Sequence, residues 1–185
     1  EIAPNAEETV NEPLLDASKL KGAAVKKEKT GIYGETVWTL KNGVKVVVLP
    51  TDYKKDQVII NLSMDGGRTL ISTEDLPSFE DNIWKLFMRN CGLSKFSGSA
   101  LPKMLAGKSA GANPFISNLT HGISASSTPK DIETAFQLLY LTFTDPRFDS
   151  DEYEIGLQQI RAILPNIKNN PDFLFQNYVS KTLYG

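Results

Sequence analysis

Two short runs of β-forming residues, facing each other across an Asn-Gly pair, set the strongest constraint on this chain. Val37-Trp38-Thr39-Leu40 and Val44-Lys45-Val46-Val47-Val48-Leu49 are separated by Lys41-Asn42-Gly43. Asn and Gly both tolerate the positive φ angles of a tight turn, so the pattern predicts a β-hairpin. A third strand is expected next, where Val58, Ile60, Leu62 and Met64 alternate with Gln57, Ile59, Asn61 and Ser63. The alternation divides a core face from a wetter one. Asp65-Gly66-Gly67 ends it.

Helical spacing then takes over. Phe79, Ile83, Leu86 and Phe87 form a stripe that predicts a helix over Pro77 to Asn90, with Gly92 as a natural stop. A shorter helix is expected over 99–105, and two strands over 109–116 and 119–126 flank a turn at Ser117-Asn118. Three helices close the chain. Thr128-Pro129-Lys130-Asp131 resembles a capped start with Pro at the first helical position, and Ile132, Phe136, Leu139 and Phe143 form the stripe behind it. Asp149 and Glu152 start the next helix, whose stripe is Tyr153, Leu157, Ile160 and Leu164 and whose expected end is Pro165. Asn170-Pro171 starts the last. The order βββ-α-α-ββ-α-α-α does not alternate strictly. It therefore predicts an α+β sandwich, a mixed or antiparallel sheet with helices layered on one face, and not a doubly wound fold.

The preceding stretch, residues 1–34, reads as an interdomain linker, leaving 35–185 as the domain. Glu1, Glu7, Glu8, Glu12 and Asp16 come first, then Lys19, Lys21, Lys26, Lys27 and Lys29, with prolines and glycines among them. No apolar period persists there. Such a charge run is ordinarily a solvated connector; contact with an acidic partner is the other reading. A length of 185 residues suits one domain plus a tail, and 41% hydrophobic with 23% charged residues excludes a disordered chain. The 20 basic and 22 acidic side chains give −2, which speaks against a nucleic-acid partner. No run approaches the ~18 apolar residues of a membrane span. Glu1 to Ala6 lack the basic start and apolar core of a signal peptide. The chain opens without Met and closes inside a helical pattern, so a piece of a longer protein is expected.

Tested singly, no motif supplies chemistry. Gly107-Lys108-Ser109 imitates the end of a phosphate-binding loop, but Pro102 stands where that loop needs its first glycine. No Gly-x-Ser-x-Gly elbow exists. The one cysteine, Cys91, excludes an internal disulfide, and its place at a helix C-terminus disfavours a thiolate. The one histidine, His121, shares a strand face with Leu119 and Ile123. It reads either as a hydrogen-bonded, partly buried residue or as a lone catalytic base. Glu74, Asp75, Glu80 and Asp81 could face a hard cation, but they suit the positive end of a helix better and lack the spacing of a calcium loop. Asn61-Leu62-Ser63 and Asn118-Leu119-Thr120 match the glycosylation sequon, which arises often by chance.

The order of the pieces says more than any one of them. Lys41 to Pro50, then Val58 to Met64 ending in Asp65-Gly66-Gly67-Arg68, then a helix, then Thr142 to Asp149 between two late helices, resembles the insulinase/pitrilysin-type zinc peptidases. The resemblance runs from Thr36 to Gly185. In that family the helix after the third strand carries His-x-x-Glu-His, two zinc ligands and a base, and a later helix supplies a ligand glutamate. The motif aligns near Glu80-Asp81-Asn82-Ile83-Trp84, so Glu80 and Trp84 stand in place of the histidines and Ile83 in place of the base. The later helix offers Gln158 and Gln159, glutamate-sized but uncharged. Lys103 to Lys108 also resembles second repeats in bacterial envelope proteases of this type.

The resemblance thus implies a degenerate repeat with no catalytic residue, no metal ligand and no cofactor of its own. It also implies an active, zinc-bearing peptidase domain on the same longer chain as partner, a peptide substrate and a periplasmic or cell-envelope setting. The alternative is a structural or interaction subunit of the same fold with no proteolytic parent.

Overall fold

The Asn42-Gly43 turn forms as expected. In the computed structural model, which describes residues 13–80 and 83–184, Gly43 sits at φ +91° and the Val44 N–H donates to Asn42 Oδ1 at 3.2 Å. The turn joins β2 (Thr36–Leu40) to β3 (Lys45–Val48) in antiparallel register, with Trp38 opposite Val46. Within residues 13–34 the structure adds elements that the charge run did not signal. Val25–Thr30 forms β1 and pairs with β2, Glu28 opposite Trp38, while Leu14 is buried in the core. The lysine-rich run hid a strand because hairpin pairing needs only backbone groups and a neighbour, not an apolar period.

The strands divide into two antiparallel sheets instead of one, in the orders β1-β2-β3 and β4-β6-β5. In the second, β4 (Val58–Asp65) and β5 (Ala110–Ile116) flank β6 (Thr120–Ser127). Burial in β6 alternates after Gly122, with Ile123, Ala125 and Ser127 inward and Ser124 and Ser126 outward. Gly122 is required where it stands: a Cβ there would lie 1.9 Å from the Leu62 carbonyl oxygen on β4.

The helices are α1 (Pro77–Glu80), α2 (Ile83–Asn90), α3 (Ala100–Met104), α4 (Ile132–Thr144), α5 (Ser150–Lys168) and α6 (Pro171–Tyr184). Helix α4 packs on β5 and β6, α2 packs against α5, and the core gathers Leu93, Phe96, Ala100, Leu138 and Leu141 with Leu14. Two expectations are corrected here. The buried face of α4 is Thr134, Ala135, Leu138 and Leu141, while Phe136 and Phe143 are exposed. The helix is apolar nearly all round, so periodicity alone could not pick a face, and small Ala135 and Thr134 let it approach the sheet. Pro165 lies inside α5, which continues to Lys168. Asn170 caps α6 as expected, its Oδ1 accepting from the Asp172 and Phe173 N–H groups.

Candidate functional site

The positions aligned with a zinc site fall on neighbouring helices. Helices α2 and α5 meet where Gly156, buried on α5, faces Asn90; a Cβ at 156 would stand 2.9 Å from Asn90 Nδ2, so the glycine permits the contact. On α2 Trp84 is half-buried, with the Lys85 ammonium 5.5 Å from its ring centroid. Gln158 and Gln159 are exposed on α5. The side chains of Glu80 and Ile83, and the whole of Asp81, lie outside the described residues. An indole carries no lone pair for Zn²⁺, and an exposed amide is a weak ligand beside a carboxylate. Among the described residues no group of three or more His, Cys, Asp or Glu could hold a metal ion. Among the described residues, Trp84, Gln158 and Gln159 do not make a zinc-binding set.

His121 has a structural partner. Its Nδ1 accepts the Gly67 N–H at 3.2 Å, tying the turn after β4 to the middle of the second sheet. Gly67 has φ +59°, and a Cβ there would meet the Ser117 carbonyl at 2.3 Å. The ring nitrogen a base would need is thus already an acceptor. Cys91 is buried, its Sγ 3.7 Å from the Asp149 carbonyl.

The stretch between α4 and α5 holds a polar cluster around Arg147. Arg147 donates from Nη1 to the Cys91 carbonyl at 2.6 Å and to Glu152 Oε2 at 2.7 Å, and from Nη2 to Asp149 Oδ2 at 2.8 Å. Glu152 Oε2 also accepts the Gly98 N–H at 3.4 Å, and the Ser94 N–H donates to the Asp145 carbonyl at 3.1 Å. One guanidinium therefore ties the end of α2 to the start of α5. Asp149 caps α5 through Oδ1, accepting from the Asp151 and Glu152 N–H groups. The Glu152 amide, together with the Arg147 charge, holds the Asp149 carboxyl below the usual aspartate value. Asp131 is lowered likewise, first by the Ser109 N–H.

Beside this cluster opens a cavity of about 710 Å³, walled by Met88, Leu93, Leu101 and Leu138 and by Gly111 to Pro114 of β5, with Lys85 and Arg147 also in its lining. Among the described residues, neither outer strand of the second sheet, β4 or β5, pairs with a further strand. Pro114 lies within β5 and removes an N–H from it, whereas the eight residues of β4 contain no proline. Sequence reasoning named Arg147 only as part of a pattern. A cation just ahead of an acidic helix start was its available signal. The cavity had none, because its walls come from four separated segments.

No family model matches the sequence. The chain is 26% identical over its whole length to a zinc protease PQQL-like protein of Arabidopsis thaliana, of which it covers 17%. All of it superposes on the periplasmic protease PqqL from Escherichia coli with a TM-score of 0.72 at 19% identity, covering 20% of that chain. A ferredoxin protease, FusC, solved in complex with Arabidopsis ferredoxin, matches 90% of the chain with a TM-score of 0.67 at 16% identity, covering 18% of that protein. The chain thus spans about a fifth of the proteins it matches. The fold is that of these proteases, and the resemblance to a repeat of insulinase-type zinc proteases is borne out. Among the described residues no helix is long and apolar enough to cross a membrane.

Proposed function

We propose that residues 35–185 form a non-catalytic repeat of a zinc metalloprotease. The repeat shapes the substrate chamber and holds unfolded peptide opposite an active His-x-x-Glu-His domain on the same longer chain. Residues 1–34 connect it to that chain, with Leu14 anchoring the connection. Zinc then belongs to the active domain, and the repeat itself catalyses nothing. The observation that carries this reading is the chain's single histidine, already committed to Gly67, within a zinc-protease fold whose α5 offers Gln158 and Gln159 in place of a ligand carboxylate. A free strand edge can hold a peptide by backbone hydrogen bonds whatever its sequence, and β4 provides an unblunted one. The periplasmic setting of PqqL supports a cell-envelope location.

Reading the gene on both sides of this segment tests the proposal. An in-frame His-x-x-Glu-His with a later ligand glutamate is the expected result. Its absence would turn the reading to a structural subunit without a proteolytic parent. Peptide hydrolysis by the isolated domain, lost in His121→Ala, would overturn the non-catalytic reading. Isothermal titration of the longer protein with unstructured peptides should show binding that variants in this repeat weaken.

A further inference from the structure

The segment that holds the first sheet is basic. Residues 17–55 hold nine lysines against Glu28, Glu35 and Asp52, a net +6, while residues 56–185 hold eleven basic and fourteen acidic side chains, a net −3. Register places three of these lysines on one face. Lys27, Thr39 and Lys45 form one cross-strand row, and Lys29, Val37 and Val47 form the next. The three lysines are exposed and, among the described residues, make no ion pair. Val47 between them is 62% exposed. Glu28 lies on the opposite face, where its carboxylate accepts the Trp38 indole N–H at 2.7 Å, so it does not neutralise them.

We infer that this face is a docking surface for acidic, extended polypeptide, which names a substrate class for the peptide-holding role proposed above and rests on that role. Charge complementarity selects the occupant. A second copy would set lysine rows against lysine rows, and like charges directly opposite are destabilising. Nucleic acid and phosphate are best matched by the bidentate fork of arginine, and every cation in residues 17–55 is lysine. The interleaved Val37 and Val47 offer apolar contact to alternate side chains of a strand, and the outer edges of β1 and β3 offer it backbone groups. Lysines along an edge repel most strands. Here they admit an acidic one.

The test uses the whole chain and an unstructured peptide of alternating Glu and Val, about twelve residues long, beside the same peptide with Gln for Glu. Fluorescence anisotropy should show the Glu peptide binding about tenfold tighter, with the difference lost on raising salt from about 0.05 to about 0.5 M. The combined variant Lys27→Gln, Lys29→Gln and Lys45→Gln should erase the preference, while Lys130→Gln, Lys168→Gln and Lys181→Gln together leave it unchanged. Circular dichroism and Trp38 fluorescence check that the sheet is retained. Equal binding of both peptides, unchanged in the Lys27 triple variant, would overturn this inference and leave the peptide-holding role standing. Binding of neither peptide would overturn both. Preference for phosphatidylserine vesicles or a single-stranded oligonucleotide over the Glu peptide would assign the face to another partner and overturn the inference.

Discussion

The two sheets have the same number of strands and the same antiparallel pairing, yet one is core and the other surface. In β4-β6-β5 the central strand carries small inward residues, Ala125 and Ser127 beside Ile123, and α4 covers it with Thr134 and Ala135. In β1-β2-β3, among the described residues, no helix packs closely on either face; every residue of β1 is exposed, and those of β2 are only half-buried. The difference teaches that strand pairing is decided locally by backbone bonds and a turn, whereas burial requires a second element with a matching surface. The lysines of the exposed sheet stay in contact with solvent among the described residues.

The largest test of this contrast is Gly122→Val. Its side chain would collide with the Leu62 carbonyl across the sheet, so the second sheet should lose about 3 kcal/mol or more in urea unfolding. A neutral result would mean that β4 and β6 are not held at the observed separation. Leu14→Ala comes next, at about 2–4 kcal/mol for a truncated core leucine. A cost below about 0.5 kcal/mol would return residues 13–20 to the class of loose connector.

Arg147→Met should cost about 1–2 kcal/mol, because it strips a donor from the Cys91 carbonyl and leaves Glu152 and Asp149 without their cation. The carboxyls of Asp149 and Asp131 add a pH signature. Both are depressed in the folded state below 3.8, so their stabilisation is complete above that value and disappears as pH falls through the lower folded values. Urea midpoints of Asp131→Asn and Asp149→Asn should therefore fall short of the parent at neutral pH and converge with it in strong acid. Parallel curves down to the most acidic point would contradict the capping geometry. The smallest effect belongs to the exposed sheet: Lys29→Gln should shift stability by less than about 0.5 kcal/mol. Hydrogen exchange sharpens the comparison, since amides of β1 and β3 should exchange well before those of β6.

Most of the element boundaries were legible because they rest on local chemistry. Asn42-Gly43 made a hairpin, Gly92 stopped α2 at φ +74°, and Asp149 and Asn170 capped their helices. The histidine count and the glutamines at 158 and 159 were equally plain, since composition and alignment need no coordinates. Three things were not legible. The lysine-rich β1 had no apolar period, and its strand exists only because β2 lies beside it. The buried face of α4 could not be chosen among apolar residues on every side until the sheet was in place. The Arg147 cluster joins Cys91 and Gly98 to Glu152 across more than fifty positions of sequence. The sequence by itself determined the β2–β3 hairpin, the helix caps and the presence of a single histidine, because turns, caps and side-chain identities act within a few residues. Only the tertiary structure decided which sheet is buried, which lysines share a face and what the lone histidine holds, because those outcomes depend on which distant segments come to lie against one another.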